Sequence, residues 1–422
     1  MKVLLVSANT ETMNMLTLPL GAACVAAAAR NAGHETRLLD LAFEPDPRQA
    51  IADAAAGLQP DVIGVSVRNI DDQQMERPRF LLEPVRDVVA ACRAASPAPI
   101  VLGGAGFSIF PESVLRYLGA DLGVQGEGEA PFVALLERIG RGADPAGIPG
   151  VCLPGRAVES RRFASLQEDP PLPEPDLWIP SAARRPGVWT PVQSRRGCPL
   201  DCSYCPNALV EGAVMRRRSP QLVVRWMSEL RAAGQRDFTF VDNVFNLPLW
   251  YAKELCRAII QADLDANLWC IVYPQWVDGE LVELMRRAGC SQVSLGFESG
   301  SARLLLSYNK QFDAAEVRAT SELFRAAGIK RVGFLLLGGP GETRDTVEES
   351  LAFAESLELD ALKITIGIRI YPGTPLHATA LAEGVIQRGD DLLFPRFYIA
   401  PELREWLPDR VARYSAERPW VN

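Results

Sequence analysis

The chain has 422 residues, of which 48% are hydrophobic, and this length accommodates two or three domains with buried cores. Its 44 basic and 52 acidic residues give a formal net charge of −8 without a long basic run, so nucleic acid is not an expected partner. The longest apolar stretch, residues 16–29, is too short to span a bilayer and lacks a signal-peptide pattern, so we expect a cytoplasmic protein with no membrane partner.

Residues 1–150 are predicted to form a doubly wound α/β domain. Apolar runs typical of buried parallel strands alternate with stretches of helical periodicity. The predicted strands are residues 2–7, 35–40, 61–66, 100–104 and 122–125. The predicted helices are residues 20–31, 48–58, 81–95, 111–117 and 130–139. In such a domain, ligands bind in the loops at the carboxyl ends of the strands.

The loops after the third, fourth and fifth strands contain the candidate ligand-binding residues of this domain. Glycines there allow backbone amides to approach a large planar or phosphate-bearing ligand, although a single glycine pair is more often an ordinary turn. The candidates are Asn69, Asp71, Gly103, Gly104, Gly106, Gly126, Glu127 and Gly128.

Together with Leu18-Pro19-Leu20-Gly21, these loops resemble the cobalamin-binding domain that precedes the catalytic domain of many radical S-adenosylmethionine (SAM) enzymes. The resemblance covers all of residues 1–150 and implies a Rossmann-like fold that binds cobalamin. The loop that supplies a histidine to cobalt in the cobalamin mutases is missing, and His34 precedes the second strand. Bound cobalamin is therefore expected to lack a histidine ligand, and an empty cobalamin-like domain is an alternative.

Residues 151–187 are predicted to be an extended linker. Prolines crowd this segment, and residues 169–176 are too proline-rich for a helix or a central strand. We place the boundary between two domains here.

Three cysteines, Cys198, Cys202 and Cys205, lie on one short loop after the linker. No further Cys or His is near enough in sequence to complete a zinc site, whereas a [4Fe–4S] cluster held by three thiolates keeps one iron open. The C-x₃-C-x₂-C spacing, with Tyr204 before the third cysteine, is the signature of the radical SAM superfamily, which this loop resembles. A disulfide framework is disfavoured because the chain has no secretory segment.

Residues 188–390 are predicted to form a partial TIM barrel of six strand–helix pairs. The predicted strands are residues 189–194, 238–242, 268–272, 292–297, 332–337 and 361–370. The working face of such a barrel is the carboxyl end of its strands. The tail, residues 391–422, is predicted to add a helix over residues 402–414.

Polar and glycine residues at these strand ends are candidates for binding SAM. With Tyr204, they are Asp242, Asn243, Glu298, Ser299, Gly338, Gly339, Glu342 and Arg369. The resemblance implies that Glu298 and Ser299 contact the ribose and the methionine end of SAM, and that the glycine-rich turn lies near the adenine. The position of Arg369 is equally consistent with binding the carboxylate of SAM and with forming a salt bridge at the strand end.

The combination resembles the cobalamin-dependent radical SAM enzymes, which implies reductive cleavage of SAM to a 5′-deoxyadenosyl radical. We expect a methyltransferase that acts on an unactivated carbon of a small-molecule metabolite and receives electrons from an external donor such as flavodoxin or ferredoxin. In one alternative, the cobalamin-like domain is empty and a 5′-deoxyadenosyl or 3-amino-3-carboxypropyl fragment of SAM is transferred directly. In another, the chain is a non-catalytic Fe–S or zinc sensor.

Overall fold

The structure is a computed structural model, and it describes residues 1–11, 16–156, 172–183 and 187–421. Two six-stranded sheets organise the described residues. Of the 37 residues predicted as linker, 18 lie outside the described residues, namely residues 157–171 and 184–186. No helix in the described ranges is long and apolar enough to cross a membrane.

The first sheet confirms the predicted doubly wound arrangement. Its strands are β1 (Lys2–Ser7), β2 (Glu35–Asp40), β3 (Val62–Ser66), β4 (Ile100–Gly103), β5 (Leu122–Val124) and β6 (Val151–Cys152). Their order is β2-β1-β3-β4-β5-β6, and all neighbours are parallel except β5 and β6. Strand β1 is apolar and buried along most of its length because helices cover both faces of the sheet.

Six helices accompany this sheet. They are α1 (Leu20–Asn31), α2 (Pro47–Leu58), α3 (Leu82–Ala95), α4 (Ala105–Ile109), α5 (Pro111–Leu118) and α6 (Glu129–Gly140). Helices α1 and α6 pack on one face, and α2, α3 and α5 pack on the other. The short α4 and the edge strand β6 are additions to the predicted elements.

The second sheet is an open barrel of parallel strands, as predicted. Its strand order is β14-β13-β12-β11-β10-β7, so the two terminal strands do not pair. The strands of this half are β7 (Thr190–Val192), β8 (Arg195–Arg196), β9 (Arg216–Arg217), β10 (Asp237–Phe240), β11 (Asn267–Val272), β12 (Cys290–Glu298), β13 (Lys330–Leu337), β14 (Ala361–Ile366), β15 (Ile368–Arg369) and β16 (Phe397–Tyr398). Strands β8 and β9 form a separate antiparallel pair, as do β15 and β16.

Several of the helices that follow the first domain cover the outside of this barrel. Those after the first domain are α7 (Pro175–Trp178), α8 (Asn207–Val210), α9 (Pro220–Ala232), α10 (Leu249–Gln261), α11 (Gly279–Arg287), α12 (Ala302–Ser307), α13 (Ala314–Ala326), α14 (Arg344–Ser356), α15 (Pro375–Ala382) and α16 (Leu407–Ala416). Helix α16 packs its apolar residues against the barrel core beside α14. The predicted tail helix therefore begins later, at Leu407, and lies on the side of the barrel.

The last predicted barrel strand, residues 361–370, is interrupted in the structure at Gly367. This glycine has a φ of 71°, and a Cβ there would lie 2.5 Å from the Met75 sulfur. A loop of the first domain therefore packs against the edge strand β14 and forces the chain to turn into β15. The contact joins distant parts of the sequence, so strand propensity alone does not predict it.

Candidate functional site

The cysteine loop follows β8 and is fixed against a neighbouring turn. Gly197, which precedes the first cysteine, has a φ of 82°, and a Cβ there would lie 2.2 Å from the Val214 carbonyl oxygen. The Cys198 amide donates a hydrogen bond of 3.1 Å to the Gly212 carbonyl. Glycine is therefore required for the chain to enter the loop at this close distance.

All three cysteines of the loop are free thiols. Burial raises the pKa of Cys205 to about 11 and raises that of Cys198, so metal binding must displace protons from these neutral thiols. In the described ranges, no three His, Cys, Asp or Glu side chains converge on one ion position. A [4Fe–4S] cluster gives each thiolate its own iron and does not require such convergence. The donor set therefore fits this cluster.

Residues 308–310 form a support beneath the cysteine loop. The Ser203 amide donates to the Tyr308 carbonyl at 3.1 Å, and the Asn309 side chain donates to the Asp201 carbonyl at 3.2 Å. The ring of Tyr204 lies edge-on to that of Tyr308, with centroids 5.8 Å apart. The predicted cofactor-binding residue Tyr204 is thus held between the loop and its support.

Lys310 is a cation beside the cysteine loop that the sequence interpretation missed. Its side chain is only 5% exposed, and its ammonium lies 3.3 Å from Glu298 Oε1 and 5.3 Å from the Tyr204 ring centroid. Burial alone lowers the pKa of Lys310, but Glu298, Tyr204 and Cys202 outweigh burial and hold it above its usual value. The lysine is therefore charged and lies beside the cysteine loop.

Glu298 ends β12 and Ser299 follows it, but their side chains lie in different places. Glu298 has a φ of 62° and pairs with Lys310 beside the cysteine loop. Ser299 is buried, with its hydroxyl 2.9 Å from that of Ser350 on α14. Of the two predicted contacts to SAM, Glu298 is the one beside the loop, and Ser299 is turned into the protein.

Asp242 and Asn243 follow β10, as predicted. Asp242 is fully buried, and it accepts hydrogen bonds from the backbone amides of Ser194 at 2.7 Å and Arg195 at 3.1 Å. Burial raises its pKa, and the Arg195 guanidinium 3.3 Å away opposes that shift. The carboxylate therefore fixes the strand that leads into the cysteine loop.

Glu211 is a second residue that the sequence interpretation missed. Its carboxylate accepts from the Gly197 amide at 3.1 Å, from the Asn243 side chain at 2.7 Å and from the Gln193 side chain at 2.9 Å. Burial raises its pKa. Glu211 therefore ties the start of the cysteine loop to the strand-end residue Asn243, although no sequence pattern marks it.

The glycine-rich turn after β13 packs against the support beneath the cysteine loop. A Cβ at Gly339 would lie 2.2 Å from the Tyr308 hydroxyl, so only glycine fits there. Glu342 folds back and accepts hydrogen bonds from the amides of Gly338 and Gly339, the latter at 3.1 Å. Burial raises the pKa of Glu342 to about 7.

The raised pKa of Glu342 predicts a pH-dependent stability. Because the folded chain holds this proton more tightly than an unfolded glutamate with a pKa of 4.5, the stabilisation is full below pH 4.5 and is lost as the pH rises through 7. In Glu342→Gln, which keeps the neutral form, this loss is absent. Urea unfolding of the parent chain and of Glu342→Gln between pH 5 and about 8 measures this loss of stability. A difference in unfolding free energy that does not change with pH would contradict the assignment.

Arg369 forms a buried salt bridge, one of the two roles that its sequence position allowed. Its Nε lies 2.8 Å from Asp71 Oδ2, and both side chains are at most 3% exposed. Its other nitrogens donate to the carbonyls of Ile370 and Leu392, each at 2.7 Å. The partner Asp71 belongs to the first domain, so this pair fixes one domain against the other.

A cavity of about 340 Å³ opens at the carboxyl edge of the first sheet. The predicted loop residues that line it are Gly103, Gly104, Gly126, Glu127 and Gly128. Gly104 has a φ of 98°, and a Cβ there would lie 2.5 Å from the Val67 carbonyl oxygen. Gly106 lies behind this wall, against the Arg68 backbone. Apolar residues such as Phe132 complete the wall, so the cavity suits a ligand with apolar surface.

A second cavity, of about 430 Å³, lies between the loop after β3 and the edge strand β14. Asn69 and Asp71 line it from the first domain, and Lys363 and Thr365 line it from the barrel. Arg68 lines both cavities, and burial lowers its pKa. The two cavities therefore adjoin at Arg68.

Two protein-family models match separate parts of the chain. A B12 binding domain model matches residues 6–136, and a Radical SAM superfamily model matches residues 192–354. The chain is 27% identical to the tryptophan 2-C-methyltransferase of Streptomyces laurentii, over 83% of this chain and 70% of that protein. It is 26% identical to an uncharacterized methyltransferase of Pyrococcus horikoshii, over 92% of this chain and 84% of that protein.

Two solved structures have the same fold. The radical SAM methyltransferase TsrM of Kitasatospora setae, solved with cobalamin and a [4Fe–4S] cluster, superimposes with a TM-score of 0.86 at 24% identity, over 99% of this chain and 90% of that chain. The cobalamin-dependent SAM radical enzyme OxsB superimposes with a TM-score of 0.78 at 17% identity, over 98% of this chain and 66% of that chain. The likeness therefore extends over both sheets.

Proposed function

We propose that this chain, which belongs to the radical SAM enzymes with a cobalamin-binding domain, transfers a methyl group to an unactivated carbon of a small molecule. The observation that carries this proposal is that the carboxyl ends of the strands of the first sheet face those of the barrel. The three-cysteine loop lies at the edge of the barrel, and the glycine-lined cavity lies at the edge of the first sheet. Arg196 and Glu211, next to the loop, also line that cavity.

The barrel provides the residues for the cluster and for SAM. Cys198, Cys202 and Cys205 would hold the [4Fe–4S] cluster, and the iron without a thiolate would take SAM. When bound, the cluster supplies the electron that cleaves SAM, and cobalamin carries the methyl group. The charged Lys310 beside the loop is suited to hold the SAM carboxylate, with Glu298 keeping its ammonium in place.

The first domain provides the cavity for cobalamin. Its glycines leave room for a large ligand close to the backbone, and its walls exclude water from the ligand's apolar surface. His34 lies at the other edge of the sheet, with its ring 3.2 Å from the amino group of Met1. This position supports cobalamin without a histidine ligand, as the missing loop motif predicts.

The second cavity is the proposed place of the small-molecule substrate. It lies between the loop after β3 and the edge strand β14, and a volume of about 430 Å³ suits a small metabolite. Carboxylate, amide and ammonium groups line it, among them Asn69, Asp72 and Lys363, so a polar substrate fits better than a lipid. An external donor such as flavodoxin or ferredoxin would supply electrons.

Retention of hydroxocobalamin tests the cobalamin part of the proposal. Protein refolded or expressed with hydroxocobalamin is expected to keep the corrin absorbance, near one cobalamin per chain, through anaerobic gel filtration. In Gly104→Ala, the new Cβ collides with the Val67 carbonyl, so the amount of bound cobalamin should fall by about tenfold or more. The control variant Gly57→Ala, on α2, should bind as much cobalamin as the parent chain. If the parent chain keeps no corrin, cobalamin-dependent transfer is wrong and direct transfer of a SAM fragment replaces it.

A further inference from the structure

Four charged residues join the first domain to the strand that leads into the cysteine loop. We call Glu127, Glu129, Arg196 and Arg216 the interdomain quartet. Arg196 lies 2.6 Å from Glu129 Oε1 and 3.8 Å from Glu127 Oε1, and Arg216 lies 2.5 Å from Glu127 Oε1. All four side chains are at most 12% exposed. The quartet is therefore a buried, balanced set of charges at the domain interface.

Burial makes the positions of these charges interdependent. Burial alone would raise the pKa of Glu129, but the Arg196 guanidinium outweighs burial and lowers it, so both partners are ionised. Removing one charge of a buried pair leaves the other uncompensated, which is far more costly than losing a surface pair. The loop after β5 and the strand β8 therefore hold each other in place.

The quartet is also connected to the cysteine loop through a chain of hydrogen bonds. Arg196 is two residues before Cys198, and its Nε donates to the Gln193 side chain at 2.8 Å. Gln193 in turn donates to Glu211 at 2.9 Å, and Glu211 accepts from the Gly197 amide at 3.1 Å. A shift of Arg196 is therefore transmitted to the backbone at which the cysteine loop begins.

The same residues form part of the wall of the first-domain cavity. Glu127, Glu129, Arg196, Gln193 and Glu211 all line it. A ligand in the cavity would therefore contact Glu127, Glu129 and Arg196. Arg196 is in turn linked to the start of the cysteine loop through Gln193 and Glu211.

We propose that Arg196 is a positioning residue through which occupancy of the first-domain cavity and assembly of the cluster strengthen each other. The inference rests on the proposed function, since it takes cobalamin as the ligand of the cavity. Coupling between two sites is reciprocal, so the cluster tightens cobalamin binding by the same factor by which cobalamin favours the cluster. A residue with a merely structural role weakens both bound states equally and leaves this factor unchanged.

The factor is measured by anaerobic equilibrium dialysis of hydroxocobalamin against the cluster-free and the reconstituted full-length chain. In the parent protein, reconstitution is expected to lower the Kd by about fivefold or more, the range typical of coupled sites. In Glu129→Gln the ratio of the two Kd values should fall to about one. In Arg196→Lys, which keeps the charge, the ratio should lie between one and the parent value. Arg116→Gln, which breaks an exposed interdomain pair with Asp391, should keep the parent ratio.

Hydrogen exchange on the parent chain provides a second measurement that does not depend on a variant folding. Added hydroxocobalamin is expected to slow amide exchange in residues 198–205 of the cysteine loop, none of which lines the cavity. A parent ratio of one, an unchanged ratio in Glu129→Gln, or exchange that hydroxocobalamin does not slow would each overturn the coupling. If the parent chain binds no hydroxocobalamin at all, it is the proposed function that fails.

Discussion

Replacing Cys202 by alanine is expected to abolish the iron–sulfur cluster and all turnover of SAM. Three thiolates are the smallest set that holds a [4Fe–4S] cluster with one iron open, so a chain with two of them has no stable site. Cys202 lies in the same loop as Cys198 and Cys205 and is partly exposed, so its loss should leave the fold intact. Iron and sulfide analysis after anaerobic reconstitution, with circular dichroism as a check of folding, measures the effect.

Cys152→Ala is the matched control for this substitution. Cys152 lies on the edge strand β6, far in sequence from the loop, and it lines neither cavity. This variant should bind iron and turn over SAM as the parent chain does. If Cys202→Ala kept its iron and its activity, the assignment of the cluster to this loop would be wrong.

Replacing Lys310 by glutamine is expected to weaken SAM binding by about tenfold to a hundredfold. A hydrogen bond to a charged group contributes about 1.5–3 kcal/mol, and each 1.4 kcal/mol is about a factor of ten in affinity. The substitution also leaves Glu298, whose side chain is only 16% exposed, without its cation. Because breaking a buried pair costs about 3–5 kcal/mol, urea unfolding should show a loss of stability as well.

The loss of SAM affinity in Lys310→Gln is distinguished from the loss of stability by two further variants. Lys310→Arg keeps the charge and should recover part of the SAM affinity measured by dialysis of the reconstituted protein. Lys330→Gln, at an exposed position that begins β13, should change neither property. SAM binding in Lys310→Gln equal to that of the parent would exclude Lys310 from the SAM site.

The features of the site that could be predicted from sequence are those set by local pattern. Alternating apolar runs and helical periodicity predict the strands, and parallel strands place their carboxyl ends at one edge. The spacing of Cys198, Cys202 and Cys205 predicts the cluster without reference to the fold. The glycines after β4 and β5 predict the cavity wall because backbone conformation requires glycine locally.

The contacts that sequence could not predict depend on pairs far apart in the chain. Asp71 was a candidate ligand of cobalamin and Arg369 a candidate ligand of SAM, and no local pattern shows that the two form one salt bridge across 298 residues. Lys310 reaches the cysteine loop only because the chain returns beneath it after α12. In the same way, Glu127 meets Arg216 only when the two sheets pack together.

The fate of SAM tests the central claim most directly. The reconstituted chain, loaded with hydroxocobalamin and given SAM and a strong reductant without oxygen, is expected to convert SAM to 5′-deoxyadenosine or S-adenosylhomocysteine, as measured by liquid chromatography. Cys202→Ala is expected to form neither product, because the cluster whose open iron would bind SAM and which would supply the electron for its cleavage is missing. If the parent chain holds its cluster and its cobalamin but leaves SAM unchanged, it is not an enzyme of this class.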